Sequence, residues 1–456
     1  MQLRKFLPFA LVLACSPKDQ ATTAYVGATV LDGTGRVITN AVLIESGGHI
    51  VSLGPRDSIA IPTGATVVPL DERWIIPGLI DGHAHAGEST VARYLSYGVT
   101  SVRHVGGNLE RLTSLNRKIA ADSPRGPRLY LAGETLTGSP RVWPGQVELQ
   151  TPADADTVVA RLAAGGVSQI KLYTHTTRQI IEAVVRAART HNIPVTAHLG
   201  YVDAVSAAEL GVNALEHLSG IVESTVADPT PLYKAHEQFP SGWMTFLRGW
   251  ATLDSVVLDS TAAKLARTGI TLVPTLVQSE TYARVLDSTY AAGLDLSSVT
   301  DAEQKEWNLP DLVSRYAITG ADMPVLAESR RRQELFIRLF TTKGGKVVAG
   351  SDSPNQLLAP GASLHEELAL LVRAGLTPAE ALHSATAAAA TLLRADSIGV
   401  LKPGAVADFV VLSASPLEDI RNSRLIEAIV ARGRRHAPME LRAQSSKSVV
   451  SLRRAR

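Results

Sequence analysis

A single cysteine, Cys15, stands among 456 residues, so no internal disulfide can form. A chain of this length needs none, because it can bury a large core. Neither sign of charge dominates: 45 Lys and Arg face 43 Asp and Glu, for a formal net charge of +2. That removes a charge-based case for nucleic acid or an anionic membrane as partner. No stretch beyond the first residues approaches the roughly 18 consecutive apolar residues of a membrane helix. Internal repeats and low-complexity runs are missing too. What remains is an ordinary globular composition, 45% hydrophobic and 19% charged, long enough for one large domain and a smaller one.

The first residues stand apart. Arg4 and Lys5 precede a short apolar run, Phe6 to Ala14. This reads as a secretory signal segment over residues 1–14. Val12-Leu13-Ala14-Cys15 resembles a bacterial lipoprotein cleavage box, which makes Cys15 the expected lipid attachment site and residues 15–24 a tether. The expected location is exported and membrane-anchored through that lipid only. At the other end Arg453, Arg454 and Arg456 form a short basic tail, read as a solvated end.

Both flanks of the rest are β-like. Val26 to Leu31, Ala41 to Glu45, His49 to Leu53, Asp408 to Leu412 and Ile426 to Arg432 are brief apolar runs bounded by Gly-rich or Pro-Gly turns. They predict a composite β-sandwich domain from 25–76 and 397–436. The middle, 77–396, alternates apolar strands with helical patterns. Eight strands are expected: Ile75 to Asp81, Thr100 to His104, Arg128 to Gly133, Gln169 to Tyr173, Val195 to His198, Ala214 to His217, Thr271 to Leu276 and Lys346 to Ser351. Eight strands alternating with helices argue an α/β fold of the (β/α)8, TIM-like barrel type. Two long connections, about 224–268 and 279–344, are placed to cover a site and choose its substrate.

Reactive groups in such barrels gather at the carboxyl ends of the strands. Here those ends carry His83 and His85, Lys171, His198, His217 and Asp352. Two histidines one residue apart on extended backbone point to one side, so His83 and His85 can share a metal. Imidazole and carboxylate suit zinc and similar divalent ions. Four histidines and one aspartate exceed the needs of one tetrahedral ion, which points to two. A free ammonium at Lys171 would repel them, whereas a carbamate on Lys171 would be anionic and could bridge both. The remaining histidines, such as His49, His191, His236, His365, His383 and His436, are read as packing or surface residues.

Pro77-Gly78-Leu79-Ile80-Asp81-Gly82-His83-Ala84-His85 resembles the opening motif of the amidohydrolase superfamily. Thr196-Ala197-His198, Leu215-Glu216-His217 and Gly350-Ser351-Asp352 resemble its later metal motifs, and Ala405 to Val410 its closing small-domain strand. With Ile170-Lys171-Leu172-Tyr173, the set is most similar to the imidazolonepropionase-like and prolidase-like branch. The resemblance runs from about residue 24 to 435. It implies that His83, His85, Lys171 and Asp352 hold the buried metal, and Lys171, His198 and His217 the second, both expected to be zinc. Asp352 would take a proton from the attacking water and pass it to the leaving amine.

The implied activity is hydrolysis of amide or peptide-type C–N bonds in a small-molecule substrate, as a dipeptidase or N-acyl amino-acid hydrolase. Ester, lactone or phosphotriester hydrolysis on the same metals is the alternative among enzymes. A non-catalytic binding or scaffold barrel is the alternative outside them. His104, Tyr173, His175 and Tyr201 are candidate substrate contacts, and His104 departs from the aspartate common in the family. Arg103, Arg141 and Arg248 are candidates for binding a substrate carboxylate. Members of the family often pair or assemble further, so the resemblance leaves a homo-oligomer open.

Overall fold

The structure, a computed structural model, describes residues 21–121 and 126–443. The signal segment, Cys15 and the basic tail lie outside the described residues. Among the described residues no helix is long and apolar enough to cross a membrane.

The two ends of the chain do meet in β structure. Thr22–Val26, Ala41–Ser46, His49–Pro55 and Thr66–Pro69 form a four-stranded sheet. Thr29–Leu31, Val37–Ile38, Trp74–Pro77, Phe409–Leu412, Ile426–Ala431 and Arg434–His436 form a six-stranded one. Tyr25, Leu43 and Ile50 from the first sheet share an apolar cluster with Ile75, Phe409 and Val430 from the second. Tyr25 and Phe409 meet edge to face at 4.9 Å.

The expected strand Val26 to Leu31 is in fact two strands in different sheets. Gly27 breaks it, with φ +98° and an Asp71 oxygen 2.4 Å from where a Cβ would stand. Only glycine fits both the angle and the space. Thr22 to Ala24, expected in the tether, belong instead to a strand paired with Ala41–Ser46.

The middle of the chain alternates parallel strands and helices. One parallel sheet holds Leu79–Ala84, Val99–His104 and Arg128–Leu131. A second holds Ile170–Leu172, Val195–Ala197, Ala214–Glu216, Thr271–Val273 and Lys346–Val347, with two short strands at Leu136–Thr137 and Val147–Glu148. Backbone hydrogen bonds link the two sheets at both margins. Ser168 N donates to Leu131 O at 2.8 Å, and Ala84 bridges Ser353 in parallel.

All eight expected strands are present, most of them shorter than expected. The run Ile75 to Asp81 is again divided, since Trp74–Pro77 pairs in the six-stranded sheet and Leu79–Ala84 in the parallel one. Helices form where capping and apolar spacing agree. In Arg178–Thr190 the Thr177 hydroxyl accepts from Ile180 N, and Ile180, Ile181, Val184 and Val185 fill the buried face. The two long connections are largely helical, from Thr230–Ala235 to Ser255–Thr268 and from Leu276–Arg284 to Asp322–Thr342.

Candidate metal centre

The six expected ligands sit at or just past the carboxyl ends of five strands, where regular β backbone stops. The backbone there is bent to aim them. His217 and Asp352 have φ +59° and φ +54°, and neighbouring Thr275 has φ +46°. These angles are strained for residues with side chains, about 1–3 kcal/mol each, and such strain clusters at working sites. The Thr275 hydroxyl lies 2.7 Å from His217 Nδ1, so it fixes the ring and leaves Nε2 free. Gly350 allows the eighth strand to pass His83 closely, because a Cβ there would fall 2.7 Å from that of His83.

The side chains converge. Ligating atoms of His83, His217 and Asp352 all lie within 4.8 Å of one another. Asp352 Oδ1 is 3.2 Å from His83 Nε2 and 3.3 Å from His85 Nε2. The His217 ring centre is 4.5 Å from that of His83 and 4.7 Å from that of His198. Lys171 Nζ and His198 Nε2 are buried with no hydrogen-bond partner among the described residues. A buried polar atom left bare costs about 1–3 kcal/mol, more for a charged group. Two such atoms beside three converging ligands fit a divalent metal centre.

The electrostatics favour the ligating forms. Burial, reinforced by neighbouring positive rings, holds His198 and His217 well below the usual histidine range. Burial also pulls Lys171 down to about 8, against the opposing pull of Glu216. Burial would raise Asp352, but His83 and His217 outweigh it and hold the carboxyl well below its usual range. Gln278 Nε2 donates to Asp352 Oδ2 and orients that carboxylate further.

Glu216 was not among the expected site residues, yet it organises the floor. It is fully buried and accepts from Arg103 Nη1 at 2.9 Å, from the Thr196 hydroxyl, and from His83 Nδ1 at 2.6 Å. His83 therefore carries its proton on Nδ1 and turns Nε2 toward Asp352. The signal was present: an acid closes the otherwise apolar strand Ala214–Glu216. Strict alternation would set Glu216 and His217 on opposite faces. The left-handed φ at His217 undoes that, and both reach His83.

A cavity of about 620 Å³ opens above the centre. It is lined by all six expected ligands and, of the four candidate substrate contacts, by Tyr173 alone. The other three lie off that lining. His104 is buried off the cavity, with Nε2 donating to Ala86 O at 3.1 Å and its ring against His85; burial pulls it down to about 3, so it is neutral. His175 and Tyr201 stack on each other at 4.8 Å, and the His175 nitrogens face Pro140 O at 2.6 Å and His236 O at 2.7 Å. None of the three candidate arginines lines the cavity. Arg103 is engaged by Glu216 and Gly82 O, Arg248 pairs with Asp322, and Arg141 lies outside. The lining arginine is Arg315, on helix Leu309–Arg315 of the second long connection.

Comparison with known proteins agrees with this geometry. The amidohydrolase family pattern matches residues 74–435. The chain is similar to a solved Xaa-Pro dipeptidase with bound methionine, with 19% identity and TM-score 0.66 over 91% of this chain and 100% of that one. It is also similar to a solved bottromycin amidohydrolase, with 22% identity and TM-score 0.70 over 92% of this chain and 88% of that one. These likenesses carry the fold, a TIM-like barrel. Among characterised sequences, imidazolonepropionase of Pseudomonas entomophila (strain L48) is 42% identical over 59 residues, which span 13% of this chain and 15% of that protein. The pattern covers most of the chain, so the protein belongs to the amidohydrolase family and is a hydrolase.

Proposed function

We propose that the protein cleaves amide or peptide-type C–N bonds, as a dipeptidase or N-acyl amino-acid hydrolase, in a binuclear site on a closed (β/α)8 barrel beside a β-sandwich. The carrying observation is the convergence of His83, His217 and Asp352 beside the unpartnered Lys171 Nζ and His198 Nε2. His83, His85, Lys171 and Asp352 would hold one ion, and Lys171, His198 and His217 the other, with zinc as the fitting metal. When bound, such ions supply Lewis acidity to the scissile carbonyl and to a water. The depressed Lys171 supports a carbamate, because a neutral amine is the form that attacks carbon dioxide.

The chain's own groups handle the protons. Asp352, anionic and oriented by Gln278, accepts the proton of the attacking water and delivers it to the departing amine. Glu216 keeps His83 in one tautomer throughout. Tyr173 lines the cavity wall, where its hydroxyl oxygen accepts from Trp143 Nε1 at 3.0 Å and keeps its own O–H free to donate.

Metal content and hydrolysis test the reading together. Purified protein supplied with zinc and bicarbonate is expected to hold about two ions per chain and to release amino acids from dipeptides or N-acyl amino acids. Lys171→Ala should lose metal and activity together, with partial rescue by short-chain acids. Protein that takes up no metal would sink the proposal. The export proposal rests on Arg4, Lys5, the apolar run to Ala14 and Cys15. Full-length protein should partition with membranes and Cys15→Ser should not.

A further inference from the structure

The cavity's walls carry information that its floor does not. Aromatic residues make up only 5% of this chain. Trp143, Tyr173, Phe239, Trp243, Tyr282 and Tyr316 nonetheless line this one cavity. They form a continuous surface. Trp143 meets Phe239 at 5.3 Å, Phe239 stacks over Trp243 at 6.4 Å, Trp243 meets Tyr282 at 6.1 Å, and Tyr282 meets Tyr316 at 5.3 Å. Trp143 is 37% exposed at the mouth, where an uncovered indole is an unsatisfied apolar surface.

Charge on the same lining is sparse. Away from the ligands, Glu134 is engaged by Arg161 at 3.2 Å and by Leu109 N at 3.1 Å. Arg315 is the one lining arginine, and it adjoins the Tyr282 and Tyr316 end of the aromatic surface. Its partner is Asp311, one turn earlier on the same helix, and both side chains are about half exposed. An exposed pair of this kind is worth about 0–1 kcal/mol, so Arg315 can exchange Asp311 for an incoming carboxylate at little cost. A guanidinium matches a carboxylate's two oxygens in geometry.

We infer that the substrate's leaving amino acid carries a large apolar or aromatic side chain, seated on the Trp143–Phe239–Tyr282 surface, and a free α-carboxylate held by Arg315. This rests on the proposed C–N bond hydrolysis and narrows it. A pocket of this kind discriminates by burial. Seating a phenyl group against aromatic walls is expected to raise kcat/KM by about 30-fold or more over a residue with no side chain. Loss of a charge-assisted hydrogen bond is expected to lower it about tenfold.

The test compares zinc-loaded protein on N-acetyl-L-phenylalanine, N-acetyl-L-leucine, N-acetylglycine and N-acetyl-L-phenylalaninamide. Phenylalanine and leucine substrates should exceed the glycine substrate by the margin above, and the free acid should exceed its amide. Arg315→Gln should erase the difference between acid and amide. Equal rates for glycine and phenylalanine, or for acid and amide in the unaltered protein, would overturn the inference and leave the hydrolase reading standing. Cleavage of none of the four would count against the hydrolase reading instead. The cavity then answers by binding: L-phenylalanine should quench tryptophan emission where glycine does not, with affinity weakened about tenfold in Arg315→Gln. Equal responses to the two amino acids would overturn the inference by that route as well.

Discussion

At the floor of the cavity Glu216 accepts from Arg103, Thr196 and His83, and all four side chains are buried. At the mouth the Trp143 indole is held by a hydrogen bond to Tyr173 and by ring contact with Phe239, and more than a third of the residue faces water. The two regions belong to one cavity and obey different physics. On the floor each charge is desolvated and has one geometry in which it is satisfied, so a change at one residue strands another. In the walls the contacts are dispersive and non-directional, and they vary with side-chain size. On the proposed reading, chemistry is set by the first region and selectivity by the second.

The sharpest test of that division is Asp352→Asn. The shape is nearly preserved and the Gln278 contact can be kept, but the proton acceptor is gone. A fall in kcat of about 10²–10⁴ is expected with little change in the unfolding temperature. Activity within tenfold of the unaltered protein would remove Asp352 from the proposed role.

Glu216 comes next in size. Glu216→Gln keeps an acceptor for Arg103 but weakens the hold on His83, and zinc affinity should fall about 10- to 100-fold by competition with a chelator. Glu216→Ala should in addition destabilise the fold by about 3–5 kcal/mol in denaturant titration, because Arg103 is left as a buried, unpaired charge. If both variants bind zinc like the parent, the floor is less rigid than its hydrogen bonds imply.

The same contrast explains what could be read from the chain. His83, His85, Lys171, His198, His217 and Asp352 were legible because each is a metal-type or basic group in or just beyond an apolar strand, and they recur at a like depth on five strands. Glu216 offered a signal as an acid in an apolar strand, but alternation sets it opposite His217, and the left-handed φ of His217 that lets both reach His83 is not written in the local pattern. The division of Val26 to Leu31 at Gly27 depends on Asp71, more than forty residues away, and no local pattern contains that contact. Arg315 is not legible in the sequence because helix Leu309–Arg315 reaches the cavity only through the tertiary path of the second connection. His104, His175 and Tyr201 show the converse, residues expected at the mouth that the fold places off the cavity lining. The strand end at His104, and the nearness of His175 and Tyr201 to Lys171 and His198, suggested the mouth, but each is taken up by a carbonyl or by a stacked ring.

The smallest expected effect is the most discriminating. Trp143 sits on the loop between Leu136–Thr137 and Val147–Glu148, and its exposure means that truncation leaves little buried void. Trp143→Ala should therefore shift the unfolding temperature by less than about 2 °C. It should raise KM for a bulky apolar substrate about tenfold, the worth of one aromatic contact, and leave kcat within about threefold. A KM effect without a kcat effect marks binding shared by ground state and transition state, as expected of a wall distant from the proton transfers. Trp143→Phe should recover most of the affinity, since Phe keeps the ring against Phe239 and loses only the hydrogen bond to Tyr173. If kcat falls as KM rises, and Phe does not restore it, then the indole donor to Tyr173 matters to the reaction itself. The wall would then share the directional constraints of the floor, and the boundary between chemistry and selectivity would lie farther out than Tyr173.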